Sequence, residues 1–355
     1  MSKIRVGLVG CGTIARVMHL PGLTSMSEMG KVEVVAVCDA VEDAAKSVSQ
    51  AFDVDRYYTS LDEMLAQEDF ELLVNTTPIP HHFAITLTAL RAGRHVYTQK
   101  PMSSTVDEAT TLIEEAKRRG LKLGCAPEHP VRPSMQTITS LIDDGAIGKV
   151  TFARVPSSHD GPEKHNVPRD STWFYKPGSS PILDMGVHGL SRITSILGPV
   201  KRLSCFSGRS VPVRYITAGP YTGKRIDVEI DDNSLMMLDF GEARFAFLDA
   251  TYCVPATLGP RMEIHGSDGT ISLTGGPNEG ETLQLYRTAT KEWTTIDLPK
   301  PPPIRDLGVL HMVDCLLGAS DLVLHGERGR HLLEVMARAP ESAADGCTVE
   351  MSTTF

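Results

Sequence analysis

Three side chains in this sequence have the types and spacing of a proton-transfer site. Lys100 stands in Gln99-Lys100-Pro101, directly after the apolar run His95–Thr98. A lysine amine that is partly withdrawn from water can exchange a proton near neutral pH. Asp184 and His188 are four residues apart, a spacing that places both on one face of a helix. The histidine could bind a substrate hydroxyl or share the proton transfer, and the aspartate could orient it.

Each of these residues also has a structural interpretation. The tripeptide alone favours a surface lysine before a turn-forming proline. A helix-capping Asp184 and a His188 packed between domains explain that pair about as well as chemistry does. The spacing would also suit two metal ligands. The sequence signals no third ligand and contains no H-E-x-x-H, so we predict no metal site.

A glycine-rich segment near the N-terminus predicts the cofactor for such chemistry. Gly10–Ala15, of sequence GCGTIA, follows the apolar run Ile4–Val9 and has the form G-x-G-x-x-A. In a strand-turn-helix unit the first glycine allows a tight turn, and the second lets the backbone approach a pyrophosphate. The helix N-terminus then presents N–H groups to the phosphates. We predict cofactor contacts from Gly10, Gly12, Thr13 and Ile14, although the motif alone fits a structural turn equally well.

An aspartate at the end of the next strand-like run predicts which dinucleotide binds. Asp39 follows Val32–Cys38 and lies 29 residues after Gly10. An acidic residue in this place binds the ribose hydroxyls of NAD and repels the additional phosphate of NADP. We therefore predict NAD, with NADP as the weaker choice. The alternative is a turn residue or the N-cap of a helix.

The opposite end of the cofactor has its own candidate contacts. Two further strand-like runs are Glu71–Thr76 and His95–Thr98. Because ligands bind outside the carboxyl ends of strands in open α/β sheets, the residues that follow these runs should border the nicotinamide and its ribose. Helix capping explains the residues after Glu71–Thr76 nearly as well. We predict cofactor contacts from Thr77, Pro78, His82, Gln99 and Lys100.

The elements that must position these residues fall into two patterns. Up to about residue 125, strand-like runs alternate with helix-like stretches, which indicates a parallel sheet with helices on both faces. The long first crossover is explained by a helix that Pro21 breaks and a loop over Thr24–Gly30. After Gly148, strand-like runs follow one another directly, with few helices. The sequence therefore predicts an α/β protein with a nucleotide-binding domain over 1–125 and an α+β domain with an open, mainly antiparallel sheet over 126–355.

Composition limits the remaining possibilities. The chain has 355 residues, of which 41% are hydrophobic and 22% charged, as in globular proteins. A net charge of −9 argues against a nucleic-acid partner, and no apolar run approaches a membrane span. Seven scattered cysteines without a C-x-x-C indicate reduced thiols. With no leader-like segment before the first strand, we predict a cytoplasmic protein.

Taken together, these segments resemble the Gfo/Idh/MocA family, the group of glucose–fructose oxidoreductases and inositol dehydrogenases. The resemblance runs nearly end to end, and the order of fingerprint, Lys-Pro and D-x-G-x-H is specific. It is carried by Gly10–Ala15, Val35–Asp39, Thr77-Pro78, His81-His82, Ala92–Val96, Gln99–Pro101, Ile142–Gly148, Trp173–Tyr175, Leu183–His188 and Glu341–Ala343.

The resemblance implies a Rossmann domain followed by a substrate-binding and oligomerisation domain. It also implies NAD(P)-dependent oxidation or reduction at a carbon of a sugar, cyclitol or related polyol. Lys100 would match the lysine of the family's Glu-Lys-Pro motif, and Asp184 and His188 its D-x-G-x-H pair. The open sheet face commonly forms oligomer contacts in this group, which implies a homodimer or homotetramer.

Two departures from the family pattern affect this expectation. Gln99 replaces the usual glutamate before Lys-Pro, so the protonated Lys100 loses a stabilising charge. Ser179-Ser180-Pro181 replaces a glycine-rich turn and should stiffen it. Two other functions stay open: a glycosidase or lyase that oxidises its substrate only transiently, and an NAD-binding regulator without catalysis.

Overall fold

The computed structural model describes residues 3–166, 169–276 and 280–355. The chain divides into two compact units, Met1–Arg132 with Lys300–Leu333 and Pro133–Pro299 with Glu334–Phe355. Lys300–Leu333 therefore belongs to the first unit, although it follows the antiparallel strands in sequence. The domain limits 1–125 and 126–355 stay a prediction, because compactness alone does not define a functional domain.

Six strands of the described chain form a parallel sheet in the first unit, in the order β3-β2-β1-β4-β5-β6. The strand-like runs predicted from the sequence correspond to β1, β2, β4, β5 and β6, and the bounds of β1, β2 and β5 are those predicted. The strands are β1 Ile4–Val9, β2 Val32–Cys38, β3 Tyr57–Tyr58, β4 Leu72–Asn75, β5 His95–Thr98 and β6 Leu123–Cys125.

The register of this sheet aligns the carboxyl ends of four neighbouring strands. Val9 pairs with Cys38 on one side and with Asn75 on the other, and Asn75 pairs with Thr98. The residues that follow these strands therefore start from one edge. That edge carries the predicted cofactor contacts, as expected for an open α/β sheet.

Helices connect the strands of the first unit and flank the sheet of the second. Their bounds are α1 Leu20–Glu28, α2 Glu42–Ala51, α3 Leu61–Gln67, α4 Ile79–Arg91, α5 Val106–Arg119, α6 Pro133–Asp143, α7 Val187–Leu197, α8 Leu307–Leu316 and α9 Gly326–Asp345. Two π-helical turns directly precede α1 and α7, at Ala15–His19 and Ile182–Gly186. The sequence did not indicate α6.

The expected break at Pro21 and loop at Thr24–Gly30 are wrong. The wide turn Ala15–His19 passes directly into α1, and Pro21 stands in the first turn of that helix. A proline is tolerated there because the first N–H groups of a helix lack partners inside it. Most of the long first crossover is helical, since α1 ends only at Glu28, four residues before β2 begins.

The core of the first unit joins β1 to α8. Val6 and Leu8 of β1 are fully buried in one cluster with Val309 and Met312 of α8. Asp306 caps α8, because its Oδ1 accepts the N–H of Val309 at 3.0 Å. Hydrophobic burial therefore holds the segment after residue 300 beside the parallel sheet.

The second unit is built on a sheet of nine described strands, in the order β16-β15-β14-β13-β7-β12-β11-β8-β17. Its pairs are antiparallel except the parallel pair β7–β12, so the predicted open, mainly antiparallel sheet is confirmed. The nine strands are β7 Val150–Pro156, β8 Arg202–Gly208, β11 Asn233–Asp239, β12 Phe245–Thr251, β13 Met262–Gly266, β14 Gly269–Gly276, β15 Gly280–Arg287, β16 Glu292–Ile296 and β17 Val349–Glu350. Two further strands, β9 Val213–Tyr215 and β10 Arg225–Asp227, pair with each other in a separate antiparallel sheet.

Strand β11 shows how this sheet separates two faces. Met236 and Leu238 are buried, whereas Leu235 and Met237 point to the other side and are exposed. Alternation of this kind is expected for a sheet with one packed face. The exposed side is nevertheless apolar here. In the ranges that the structure describes, no helix has both the length and the apolar character to cross a membrane.

Candidate functional site

Gly10 allows two chain segments to approach each other at the sheet edge. Its φ is +98°, and an added Cβ would lie 2.7 Å from Thr76 C and from Thr77 N. Gly12 differs, because a Cβ there would meet no other atom of the described chain within 4 Å. The first glycine is therefore required by the fold. The second borders open space, as expected where a ligand approaches the backbone.

Asp39 lies beside this glycine loop. Its Oδ2 accepts the N–H of Cys11 at 2.8 Å, and its Oδ1 accepts the N–H of Val41 at 2.9 Å. The alternative of a helix N-cap is wrong, since Val41 occupies that position before α2. A carboxylate oxygen can accept more than one hydrogen bond, so the fixed carboxylate has capacity left for two ribose hydroxyls.

Arg16 braces the same corner and was missed by the sequence analysis. Its Nε donates to Cys11 O at 3.0 Å, and the other guanidinium nitrogens donate to Ser47 Oγ at 3.3 Å and Ala44 O at 3.2 Å. Burial and the charge of Asp39 raise the pKa of the Cys11 thiol to about 12. The cysteine is therefore an inert filler of the turn.

The loop after β4 is tied to the glycine loop by side-chain hydrogen bonds. Thr76 Oγ1 donates to Gly10 O at 2.6 Å, and Thr77 Oγ1 donates to Asn75 Oδ1 at 2.7 Å. Pro78 is the N-cap residue of α4. The predicted contacts Thr77 and Pro78 thus stand at the carboxyl end of β4, next to Gly10.

His82 is buried and bridges two turns. Its Nε2 lies 2.7 Å from Thr77 O and its Nδ1 lies 2.6 Å from Pro101 O. Burial lowers the pKa of His82, against the two carbonyl oxygens, which favour the protonated ring. With both ring nitrogens so engaged, His82 serves to hold the loops together. A direct contact between His82 and a cofactor stays a prediction.

The turn that carries Lys100 is held from both sides. Gln99 N donates to Asn75 O at 3.0 Å, and its side-chain Nε2 lies 2.7 Å from Nε2 of His19. On the other side, Pro101 O meets His82. Lys100 is half-buried between these anchors, at the end of β5.

These features fit a dinucleotide cofactor. An open surface at Gly12, a carboxylate at Asp39 and a helical start at Thr13 form the set that such a cofactor needs. Thr13 is exposed at that start. The sequence prediction placed these residues together, and in the structure they border one corner of the sheet edge.

In the second unit, Asp184 lies in the π-helical turn and His188 in the first turn of α7. Both side chains are half-buried. The hydroxyl of Tyr252 donates to Asp184 Oδ2 at 3.1 Å, and burial followed by the charge of Asp184 raises the pKa of that tyrosine. Tyr252 is therefore a fixed donor that orients the carboxylate. It was missed because it is 68 residues away, at the end of β12.

Ser157 closes the wide turn and was also missed. Its Oγ donates to Met185 O at 2.5 Å and accepts the N–H of Gly189 at 3.1 Å. An added Cβ at Gly189 would lie 3.0 Å from Ser157 Cβ. π-Helical turns are uncommon and occur often at functional sites, so this stabilised turn, which contains Asp184 and ends two residues before His188, supports a functional role for the segment.

Two histidines and an aspartate gather near Asp184. Potential ligand atoms of His159, Asp160 and His165 lie within 4.8 Å of one another. However, His159 Nδ1 accepts the N–H of Gly161 at 2.8 Å, so the ring proton resides on Nε2. A metal-bound histidine normally donates from its second nitrogen. The arrangement thus presents a hydrogen-bond donor, and burial lowers the pKa of His159, which keeps the ring neutral.

A buried ion network anchors the loop that carries these histidines. Arg214 donates to Glu163 Oε1 at 3.0 Å and to Asp232 Oδ2 at 2.8 Å, and Tyr175 donates to Glu163. The guanidinium carbon lies 5.3 Å from the centre of the Tyr175 ring. Because the three charged side chains are nearly fully buried, each depends on the others for compensation.

Comparison with known proteins places the chain in a family. Residues 4–126 match the oxidoreductase family with an NAD-binding Rossmann fold, and residues 135–272 match the GFO/IDH/MocA C-terminal domain. The chain belongs to the Gfo/Idh/MocA family of oxidoreductases, as the sequence resemblance implied. It therefore carries the NAD-binding Rossmann domain of that family and is an oxidoreductase.

Three individual proteins each share a quarter or less of their residues with this chain. The chain is 24% identical to the D-apiose dehydrogenase of Paraburkholderia graminis, covering 99% of this chain and 91% of that protein. It is 25% identical to the scyllo-inositol 2-dehydrogenase (NADP(+)) IolW of Bacillus subtilis, and the match covers 84% of this chain and 77% of that protein. An NAD binding oxidoreductase from Klebsiella pneumoniae has the same fold, with a TM-score of 0.84 at 19% identity over 99% of both chains.

Proposed function

We propose that this protein is an NAD-dependent oxidoreductase that moves a hydride between nicotinamide and a secondary alcohol or ketone of a sugar, cyclitol or related polyol. The observation that carries the proposal is the corner formed by Gly10, Gly12 and Asp39, where a carboxylate stands beside an open glycine loop. Similarity to a D-apiose dehydrogenase and a scyllo-inositol dehydrogenase supports the class of substrate.

The residues that would hold the cofactor follow the sheet edge. Gly10, Gly12, Thr13 and Ile14 would meet the pyrophosphate and Asp39 the adenosine ribose. Thr77, Pro78, Gln99 and Lys100 would border the nicotinamide half, with His82 holding two of their turns together. When bound, NAD supplies the hydride acceptor for alcohol oxidation.

Lys100 would take the hydroxyl proton during oxidation and return it during reduction. A lysine amine that is partly withdrawn from water can serve as such a base, and Lys100 is half-buried. His188 would assist this transfer, and Asp184 would orient His188 or bind a second hydroxyl. The hydrogen bond from Tyr252 to Asp184 supports an orienting role, because it fixes one carboxylate oxygen.

A substrate panel tests the proposal. Sugars, cyclitols and sugar acids are incubated with NAD and, in parallel, with NADP, and the absorbance of the reduced nicotinamide is followed. We expect turnover of at least one polyol with a kcat/KM that is higher for NAD. Product formation without net NADH would indicate transient oxidation, and tight NADH binding without any turnover would indicate a regulator.

The preference for NAD can be tested separately at Asp39. In Asp39→Ala the repelling carboxylate is gone while the Arg16 guanidinium stays at the same corner. We expect the ratio of kcat/KM for NAD to that for NADP to fall by about tenfold or more, because one close charge contributes roughly 1–2 kcal/mol. An unchanged ratio would contradict the role given to Asp39.

A homo-oligomer is proposed from the second sheet. Phe206 of β8 is 82% exposed and pairs across the strands with Leu235, which is 40% exposed, and Met237 beside them is 47% exposed. Contiguous apolar surface of this kind marks an interaction site. Light scattering after size-exclusion chromatography should give a dimer or tetramer, and Phe206→Arg should lower the assembled fraction.

The cytoplasm is the proposed compartment. The seven cysteines are free thiols, five of them buried. Free thiols persist in a reducing environment. Fractionation of cells that express the protein should recover it with the cytosol, and recovery in the membrane or extracellular fraction would contradict this proposal.

A further inference from the structure

Three side chains from distant parts of the sequence form a line of hydrogen bonds beneath the Lys100 turn. Asp306 Oδ2 lies 2.6 Å from Nδ1 of His19, and His19 Nε2 lies 2.7 Å from Nε2 of Gln99. The side chains of Asp306 and His19 are fully buried. Gln99 is half-buried and precedes Lys100 directly.

The direction of each hydrogen bond follows from the chemistry of its ends. The Asp306 carboxylate accepts, so His19 Nδ1 donates. The amide nitrogen of Gln99 can only donate, so His19 Nε2 accepts. A ring that donates from one nitrogen and accepts at the other carries one proton. The arrangement of these three side chains thus assigns the single ring proton of His19 to Nδ1.

Close packing fixes the start of this line. An added Cβ at Gly22 would lie 2.5 Å from Asp306 Cβ, so α1 approaches Asp306 without room for a side chain. The other oxygen of Asp306 caps α8 through Val309 N. The ring of His19 lies 6.3 Å from that of Tyr97, in an edge-on arrangement. The carboxylate and the imidazole consequently have little freedom to rotate.

Resting on the proposed function, we propose that Asp306 and His19 are positioning residues for Lys100 that act through Gln99. Lys100 stands between two anchored neighbours, because Gln99 is bound by His19 and Pro101 O is bound by His82. The line of hydrogen bonds from Asp306 through His19 to Gln99, called the relay below, holds the Gln99 end of this turn. A shift of about 1 Å at a reacting group can cost roughly 100-fold in rate, so anchoring of this kind matters for proton transfer.

The relay also explains how Gln99 affects the charges next to Lys100. A glutamate at this position, as is usual in the family, could only accept from His19, and the ring would then need a second proton. Aspartate, imidazolium and glutamate together carry the same net charge as aspartate, neutral imidazole and glutamine. Gln99 therefore changes where charge resides beside Lys100, and the net charge of the three side chains stays the same.

The first experiment measures the protonation state of His19 without any substrate. Long-range proton–nitrogen NMR of the full chain with labelled histidine distinguishes the two neutral tautomers from imidazolium. Twelve histidines contribute signals, and His19→Gln assigns the one that disappears. We expect the Nδ1–H tautomer in the wild type and imidazolium in Gln99→Glu. Imidazolium or the Nε2–H tautomer in the wild type would overturn the relay, whatever the enzyme's substrate.

The second experiment separates positioning from folding. His19→Gln retains an acceptor for Gln99 and a donor for Asp306, whereas His19→Leu retains only bulk. We expect His19→Leu to lower kcat by about 10- to 100-fold, with the Kd for NADH changed less than about threefold, and His19→Gln to recover most of kcat. Equal kcat in folded His19→Leu and the wild type would overturn the proposal. If His19→Leu fails to fold, equal losses of kcat in folded samples of His19→Gln and Gln99→Leu would overturn it.

Discussion

The glycine loop of the first unit and the Asp184 segment of the second unit are positioned by different means. In the glycine loop, strand ends and backbone contacts place the residues, as with Gly10 against Thr76 and Thr77. In the second unit, long-range side-chain contacts do so, as with Tyr252 on Asp184 and Ser157 across the π-helical turn. Substitutions in these two regions should therefore fail in different ways, through backbone fit in the glycine loop or through the loss of one side-chain partner in the Asp184 segment.

The largest expected effect concerns Lys100. Lys100→Ala removes the proposed proton acceptor and should lower kcat by about 100- to 10,000-fold, because a positioned acid–base group contributes that much. The glycine loop and Asp39 are untouched, so the Kd for NADH should change little. Steady-state kinetics with fluorescence titration of NADH checks both values. Full activity on a substrate that the wild type turns over would refute the assignment.

A pair of glycine substitutions tests the backbone side of the comparison. Gly10→Ala should destabilise the first unit and abolish NADH binding, because its φ of +98° and the 2.7 Å approach to Thr76 exclude a Cβ. Gly12→Ala should leave the melting temperature near that of the wild type but weaken NADH binding by about 100-fold. Calorimetry and titration of both variants measure this. Unchanged affinity in Gly12→Ala would show that the loop does not hold the pyrophosphate.

A substitution in the buried ion network of the second unit tests the side-chain part of the comparison. Arg214→Ala leaves Glu163 and Asp232 buried without their cation, and it should reduce the free energy of unfolding by about 3–5 kcal/mol. Lys224→Ala is the control, since its pair with Asp170 is partly exposed and is worth about 1 kcal/mol or less. Denaturant unfolding measures both. Equal losses would show that burial does not strengthen the network.

The smallest expected effect is at Tyr252. Tyr252→Phe removes the hydroxyl that binds Asp184 and keeps the buried ring, so kcat/KM should fall by about tenfold, which matches roughly 1.5 kcal/mol for a hydrogen bond to a charged group. Tyr175→Phe provides the control, because its hydroxyl binds Glu163 in the ion network. The control should affect stability more than kcat/KM. The reverse result would remove Tyr252 from the site.

The sequence predicted the first unit better than the second, for a physical reason. Strand ends and glycine turns are local patterns, so Gly10, Asp39 and the edge of the parallel sheet could be inferred from residues within one crossover. Pro21 misled the prediction, since the rule that proline breaks helices does not hold in the first turn. The π-helical turn before α1 has no clear local signature.

Contacts between distant residues could not be predicted from local pattern. Asp306 meets His19 across 287 positions, and Tyr252 meets Asp184 across 68. Neither pair has a motif, because the contact depends on how two separate elements pack. The spacing of Asp184 and His188 did predict their common helical segment, but not that Asp184 lies in a π-helical turn that ends just before α7.

The fate of the substrate's hydrogen tests the central claim most directly. A polyol that the enzyme turns over is prepared with deuterium on the carbinol carbon, and both products are analysed by mass spectrometry and NMR. The account predicts one deuterium at C4 of the nicotinamide for each ketone formed. Deuterium that returns to the released sugar product, with the nicotinamide unlabelled, would contradict net hydride transfer.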